Sequence, residues 1–201
     1  MMITIALILI TVGCSFYAWS NSSVYSGWML NPYMVSNKNQ YYRFITSGFI
    51  HGDQMHLFFN MLSFFFFGLN LEREMSPLGF IALYLLGIVI SDIPSFLKHR
   101  KSQRYNSLGA SGAVSAVIFG SILYDPLNTI SLFFILRMPG FVYAILFLIY
   151  SYYMGKRDGD YINHDAHFYG AVFGVVFVLL TGEGNILQNF FEQVSHWSGL
   201  F

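Results

Sequence analysis

The chain has 201 residues, 55% of them hydrophobic, 19% aromatic and only 10% charged, with ten basic side chains balanced by ten acidic ones. Soluble domains average about a quarter charged residues, so the composition excludes an ordinary soluble domain, and zero net charge gives no reason to expect a nucleic acid as partner. It predicts an integral membrane protein forming a single all-α domain over 1–201, since no polar stretch is long enough to make another.

Six apolar segments follow in chain order, at 2–19, 55–71, 78–97, 111–124, 139–154 and 166–181. No Lys or Arg precedes the first, MMITIALILITVGCSFYAW, which argues against a cleaved signal peptide and for a retained span. Cys14 within it is the chain's one cysteine, so no intrachain disulfide forms. A polar segment, 20–54, leads to the second span. The fourth, from Ser111 to Tyr124, is short: at about 1.5 Å per residue it covers about 21 Å of a hydrocarbon core about 30 Å thick. Its polar start is therefore expected below the membrane surface, screened by neighbouring helices. The stretch LNTISLFFILRMPG, 127–140, closed by Pro139 and Gly140, reads as a connecting loop dipping into the interface. After Gly184, residues Ile186, Leu187, Phe190, Phe191, Val194 and Trp197 recur at helical spacing and predict an amphipathic interfacial helix over 185–198.

Polar residues inside spans are costly and by default mark function. His56 and Asn60, four apart, share one face of the second span. Ser111 opens the fourth span and His167 the sixth. Spans two, four and six run in the same direction, so these four residues fall on one membrane side at similar depth. Small residues let membrane helices approach closely. Gly112, Ala116 and Gly120 on span four and Gly170 and Gly174 on span six form matching faces, and docking them carries Ser111 towards His167. A serine hydroxyl becomes a nucleophile when a neutral imidazole takes its proton. His56, Asn60 and the backbone N–H of Ser111 are then the candidate oxyanion donors.

The stretches YRFITSGFIHGDQMHLFFN, GASGAV and AHFYGAVFG together resemble the rhomboid family of intramembrane serine proteases, in the family's order and across nearly the whole chain. The resemblance implies a six-transmembrane-helix rhomboid-like bundle. It implies Ser111 as nucleophile within the Gly109–Gly112 motif and His167 as base within the motif that carries Gly170 and Gly174. The pattern holding His51, His56 and Asn60 implies an oxyanion site at the last two. It also implies transmembrane proteins as substrates in a lipid bilayer, with no cofactor or metal. Arg43 stands in Tyr42-Arg43 where the family often has Trp-Arg, and segment 20–54 would form its membrane-embedded loop. Four residues after the nucleophile, where bacterial members often carry an aromatic packed on the catalytic histidine, this chain has Ser115.

Each residue alone has a plainer reading: Ser111 as a helix N-cap, His56 as a satisfied interfacial histidine, Asn60 as a helix bridge. His164, Asp165 and His167 lack the further carboxylate or cysteine of a metal site. A catalytically silent rhomboid-like protein that binds transmembrane clients is the alternative to a protease. A proton-relaying transporter would have no need of the GASG turn. The expected location is a bacterial inner membrane, with the family's orientation: N-terminus in the cytoplasm, site opening outside. Against that orientation, Lys38, Arg43, Lys98, Arg100, Lys101, Arg104, Lys156 and Arg157 lie on the site side and only Arg73 and Arg137 opposite, the reverse of the positive-inside rule.

Overall fold

The computed structural model describes residues 2–132, 135–155 and 163–198. In chain order it comprises α1 (Met2–Ser20), three short helices α2 (Ser22–Trp28), α3 (Pro32–Lys38) and α4 (Arg43–Thr46), and a 3-10 turn at Ser47–Phe49. Then come α5 (Gln54–Glu74), α6 (Pro77–His99), α7 (Ser111–Tyr124), the strands β1 (Thr129–Leu132) and β2 (Leu136–Pro139), α8 (Gly140–Met154), α9 (His164–Thr181) and α10 (Ile186–Ser195). By length and composition α1, α6 and α9 are each apolar enough to cross a membrane, while α7 and α8 are apolar but shorter.

Side-chain caps fix where the helices begin. Asp53 Oδ1 accepts from the His56 amide at 2.8 Å to start α5, and Ser76 Oγ accepts from Gly79 N at 3.2 Å, with Pro77 at the first position of α6. Asn163 Oδ1 accepts from Ala166 N at 3.1 Å, so α9 starts at His164, ahead of the expected 166, and His167 sits within its first turn. At the far end of the bundle the Glu72 carboxylate accepts from Ile3 N at 3.0 Å and Thr4 N at 2.9 Å. It thereby caps α1 with a charge of the sign that a helix N-terminus favours. Trp19 Nε1 donates to His51 O at 2.8 Å at the opposite end, which sets α1 antiparallel to α5.

Helix α7 is the axis of the fold. Every residue from Gly112 to Leu123 is buried, enclosed by α5, α6 and most extensively α9. This is how so short a helix avoids exposing its ends to lipid. A Cβ at Gly170 would overlap the Gly112 carbonyl and one at Gly174 the Ala116 carbonyl, so α7 and α9 touch backbone to backbone. On the other flank a Cβ at Gly87 of α6 would lie 3.1 Å from Ala113 Cα.

Two connections differ from the expected loops. Segment 127–140 contains an antiparallel hairpin pairing Thr129 with Pro139 and Leu132 with Leu136. Gly140 N donates to Asn128 O at 3.0 Å and Phe141 N to Pro126 O at 3.0 Å, so the chain returns to its starting point, and a ladder is the economical way to pair its backbone groups. Segment 20–54 carries three short helices. Arg43, 6% exposed, is their clamp, its Nη1 donating to Ser26 O at 2.9 Å and Met29 O at 2.7 Å and its Nε to Gln40 Oε1 at 2.7 Å. In α10, Ile186 is buried against the bundle while Leu187 and Phe191 face outward.

Gly170→Ala should lower thermal stability in detergent by about 1–3 kcal/mol, the cost of overpacking, because the backbone it meets has no rotamer to yield. Gly13→Ala, where nothing lies within 4 Å, should be neutral or stabilising by up to about 1 kcal/mol through helix propensity. Equal thermal midpoints for the two variants would show that the α7–α9 contact relaxes freely.

Candidate active site

A cavity of about 860 Å³ lies where α5, α7 and α9 begin and α6 ends, lined by His56, Asn60, Ser91, Asp92, Ser111 and His167 among others. All four residues nominated from the spans thus meet on one cavity although they come from three helices. A second cavity, about 500 Å³ at the other end of the bundle between Arg73, Asp125 and Glu183, includes none of them.

Ser111 is the first residue of α7, and the N-cap position belongs to Ala110, with no side chain capping the helix. The plain reading of Ser111 as a cap therefore does not hold, and among the described residues no side chain caps the leading amides of α7. The chain just before Ser111 is held from several directions. Gly109 has φ +118°, and a Cβ there would lie 2.7 Å from His56 Cε1, so both its conformation and the ring above it require glycine. Its N–H donates to Ser47 O at 2.9 Å, and Ser107 pairs with Leu30 through both backbone bonds. Asn163, besides capping α9, donates to Ser107 Oγ at 3.1 Å and accepts from Ser95 Oγ at 3.0 Å, joining α6, the loop and α9.

His51 is fully buried behind this loop and does not line the cavity. Its Nε2 accepts from Ala110 N at 3.2 Å, while Nδ1 meets Ser15 Oγ at 3.1 Å. Because the Ser15 hydroxyl donates to Phe49 O at 3.3 Å, its lone pair is free to accept from Nδ1–H, and one neutral tautomer satisfies all three bonds. Burial, reinforced by the neighbouring His56, pushes the His51 pKa down to about 3. The residue positions the loop, as Arg43 positions segment 20–54.

Asn60, buried, spends one amide hydrogen on His56 O at 2.9 Å, and among the described residues nothing takes the other. The His167 ring lies 6.2 Å from Phe147 and 5.9 Å from His164, centroid to centroid. Phe147 comes from α8, so an aromatic reaches His167 even though Ser115, buried in α7, stands where the family often has one. Gly112 leaves room for α6, since a Cβ there would overlap Ser91 Oγ. Among the described residues no group of three His, Cys, Asp or Glu side chains is placed to hold a metal.

Two residues of the site escape a reading based on the four span residues. Asp92, 8% exposed in α6, is a carboxyl inside an apolar run, and that alone was its signal. Asn163 was legible only as an N-cap ahead of an apolar run.

Bundle and cavity define a helical membrane protein whose polar groups are gathered at the starts of packed helices. A rhomboid-domain family model matches residues 38–184, and the chain belongs to the rhomboid family. It is 29% identical over 184 residues to RHOMBOID-like protein 12, mitochondrial, of Arabidopsis thaliana, covering 78% of this chain and 54% of that protein. With Rhomboid-like protein 11, chloroplastic, of the same plant it shares 30% identity over 157 residues, 74% of this chain and 55% of the other. With the Presenilin-associated rhomboid-like protein, mitochondrial, of Homo sapiens it shares 29% over 140 residues, 67% and 36% respectively. The chain therefore spans about half the length of the first two relatives and less of the third.

The depressed pKa of His51 has a consequence for stability. An unfolded histidine binds a proton below about pH 6.5 and the folded one only near 3, so stability contributed by neutral His51 is complete above pH 6.5 and is lost as pH falls below it. The slope approaches about 1.4 kcal/mol per pH unit. Thermal unfolding between pH 7 and pH 5 should show this dependence in the native protein and lose that share of it in His51→Gln. An unchanged slope in the variant would mean that His51 takes up its proton without strain.

Proposed function

We propose that the chain is an intramembrane serine endopeptidase that cleaves transmembrane protein substrates through a Ser111–His167 dyad, working as one domain of six membrane-crossing helices, α1 and α5 to α9. The observation that carries this reading is the meeting of Ser111, His167, His56 and Asn60 on one cavity in a chain of the rhomboid family. In the reaction, the Ser111 Oγ attacks the scissile carbonyl carbon while His167 takes the hydroxyl proton. The carbonyl oxygen becomes an oxyanion, stabilised by the free amide hydrogen of Asn60, by His56 and by the uncapped backbone amides opening α7. Collapse of the intermediate breaks the C–N bond, with the His167 proton going to the leaving amine, and a water activated by the same imidazole hydrolyses the acyl-enzyme. No cofactor enters any step.

The relatives' names place them in mitochondria and chloroplasts, so the expected bacterial inner membrane gains no support from them, and the proposed setting is a lipid bilayer. The proposed orientation keeps the site on the outer side. Of the cations that argue against it, Lys156 and Arg157 lie outside the described residues. A C-terminal tag inaccessible to protease in sealed membranes would support a C-terminus inside; the same tag cut from outside would contradict it.

Incubation with a model transmembrane substrate tests the activity. Ser111→Ala and His167→Ala should each abolish cleavage without unfolding the protein, and the double variant should be no slower than either, because dyad members act as a unit. Asn60→Ala should lower kcat by about 10- to 1000-fold with a much smaller change in KM. Binding of substrate without cutting by the native chain would turn the reading to a catalytically silent client-binding protein.

A further inference from the structure

We infer that Asp92 forms a substrate subsite that selects a basic side chain near the scissile bond; this rests on the protease reading above. Asp92 lies on the wall of the same cavity as Ser111, one residue after Ser91, whose side chain sits against Gly112. It is thus close to the reaction centre yet on a different helix from all four proposed catalytic groups.

The residue is 8% exposed, and the side chain of Ser47 lies within its reach. The Ser47 hydroxyl has one proton and an alternative acceptor in Phe44 O at 3.3 Å. A carboxylate offers about four lone-pair sites, so one shared hydroxyl leaves most of that capacity unfilled. No salt bridge reaches Asp92 among the described residues. Lys98 pairs with Asp165 instead, at 3.7 Å. Arg104, which also lines the cavity, is itself exposed. Tyr105, which also lines the cavity and interacts with Asp92, is a neutral phenol and brings no positive charge.

A carboxyl taken out of water without a matching donor is costly. In a cavity open to a peptide, the occupant can supply that donor. A lysine or arginine near the cleavage point would lay its apolar stem along Met55 and Phe59, which line the same cavity from α5, and bring its charged head to Asp92. An apolar side chain in the same place would leave the carboxyl unpaired. The discrimination is expected from a site whose polar group is satisfied by only one class of substrate.

The test is a lysine scan through the segment around the cleavage point of a model transmembrane substrate, comparing lysine with leucine at each position by kcat/KM. In the native protein one position should favour lysine by about tenfold or more, the value of one charge-assisted hydrogen bond, chiefly through KM. Asp92→Asn should bring that ratio to about one, and Asp92→Glu should retain part of it. Fluorophosphonate labelling of Ser111 reports whether each variant keeps a working site. Label and cleavage with no position favouring lysine, or a ratio unaltered in Asp92→Asn, overturns the subsite alone. Should Asp92→Asn fail to fold, the native scan still decides, since a flat profile is sufficient to reject the subsite. Absence of both label and cleavage in the native chain overturns the protease reading and the subsite with it.

Discussion

Everything about the candidate site depends on the backbone contact between α7 and α9. At Gly170 and Gly174 there is no room for even one methyl group against the carbonyls of Gly112 and Ala116. In a bilayer the lipid tails are as apolar as the side chains, so the gain from bringing helices together is close packing, which small residues allow. Here that gain also sets a separation. Two helices that touch at their backbones bring the residues just above the contact, Ser111 and His167, to the same cavity without either being on a mobile arm.

The second constraint is the loop that delivers Ser111. Gly109 is held by Ser47, Ala110 by His51, and Ser107 by Leu30 and Asn163, so segment 20–54 and the residue that caps α9 both bear on it. A catalytic constellation loses rate quickly when its groups are displaced, so such supporting contacts matter as much as the groups themselves. Histidine suits position 51 because a neutral imidazole offers a donor and an acceptor on opposite edges, which the Ser15 hydroxyl and the Ala110 amide each use.

Much of this was legible in the sequence because membrane helices announce themselves through length and apolarity. Among the described residues six helices overlap the six apolar segments, three of them, α1, α6 and α9, long and apolar enough to cross a membrane, and the small-residue faces of α7 and α9 meet as their spacing suggested. What stayed hidden was set by contacts distant in the chain. The start of α9 depends on the Asn163 cap, the hairpin at β1 and β2 on the closeness of the ends of α7 and α8, and the role of His51 on a loop that lies about sixty residues further along. The aromatic beside His167 could not be foreseen either. The residue four places after Ser111 is serine, and Phe147 arrives from a helix whose sequence position gives no hint of it.

The most direct measurement is the site of covalent modification by a fluorophosphonate in the protein reconstituted into lipid, mapped by mass spectrometry of peptides. An activated serine is the one hydroxyl expected to react, and a single adduct on Ser111 is the expected result. An adduct on another serine, or none while the protein remains folded, would contradict it.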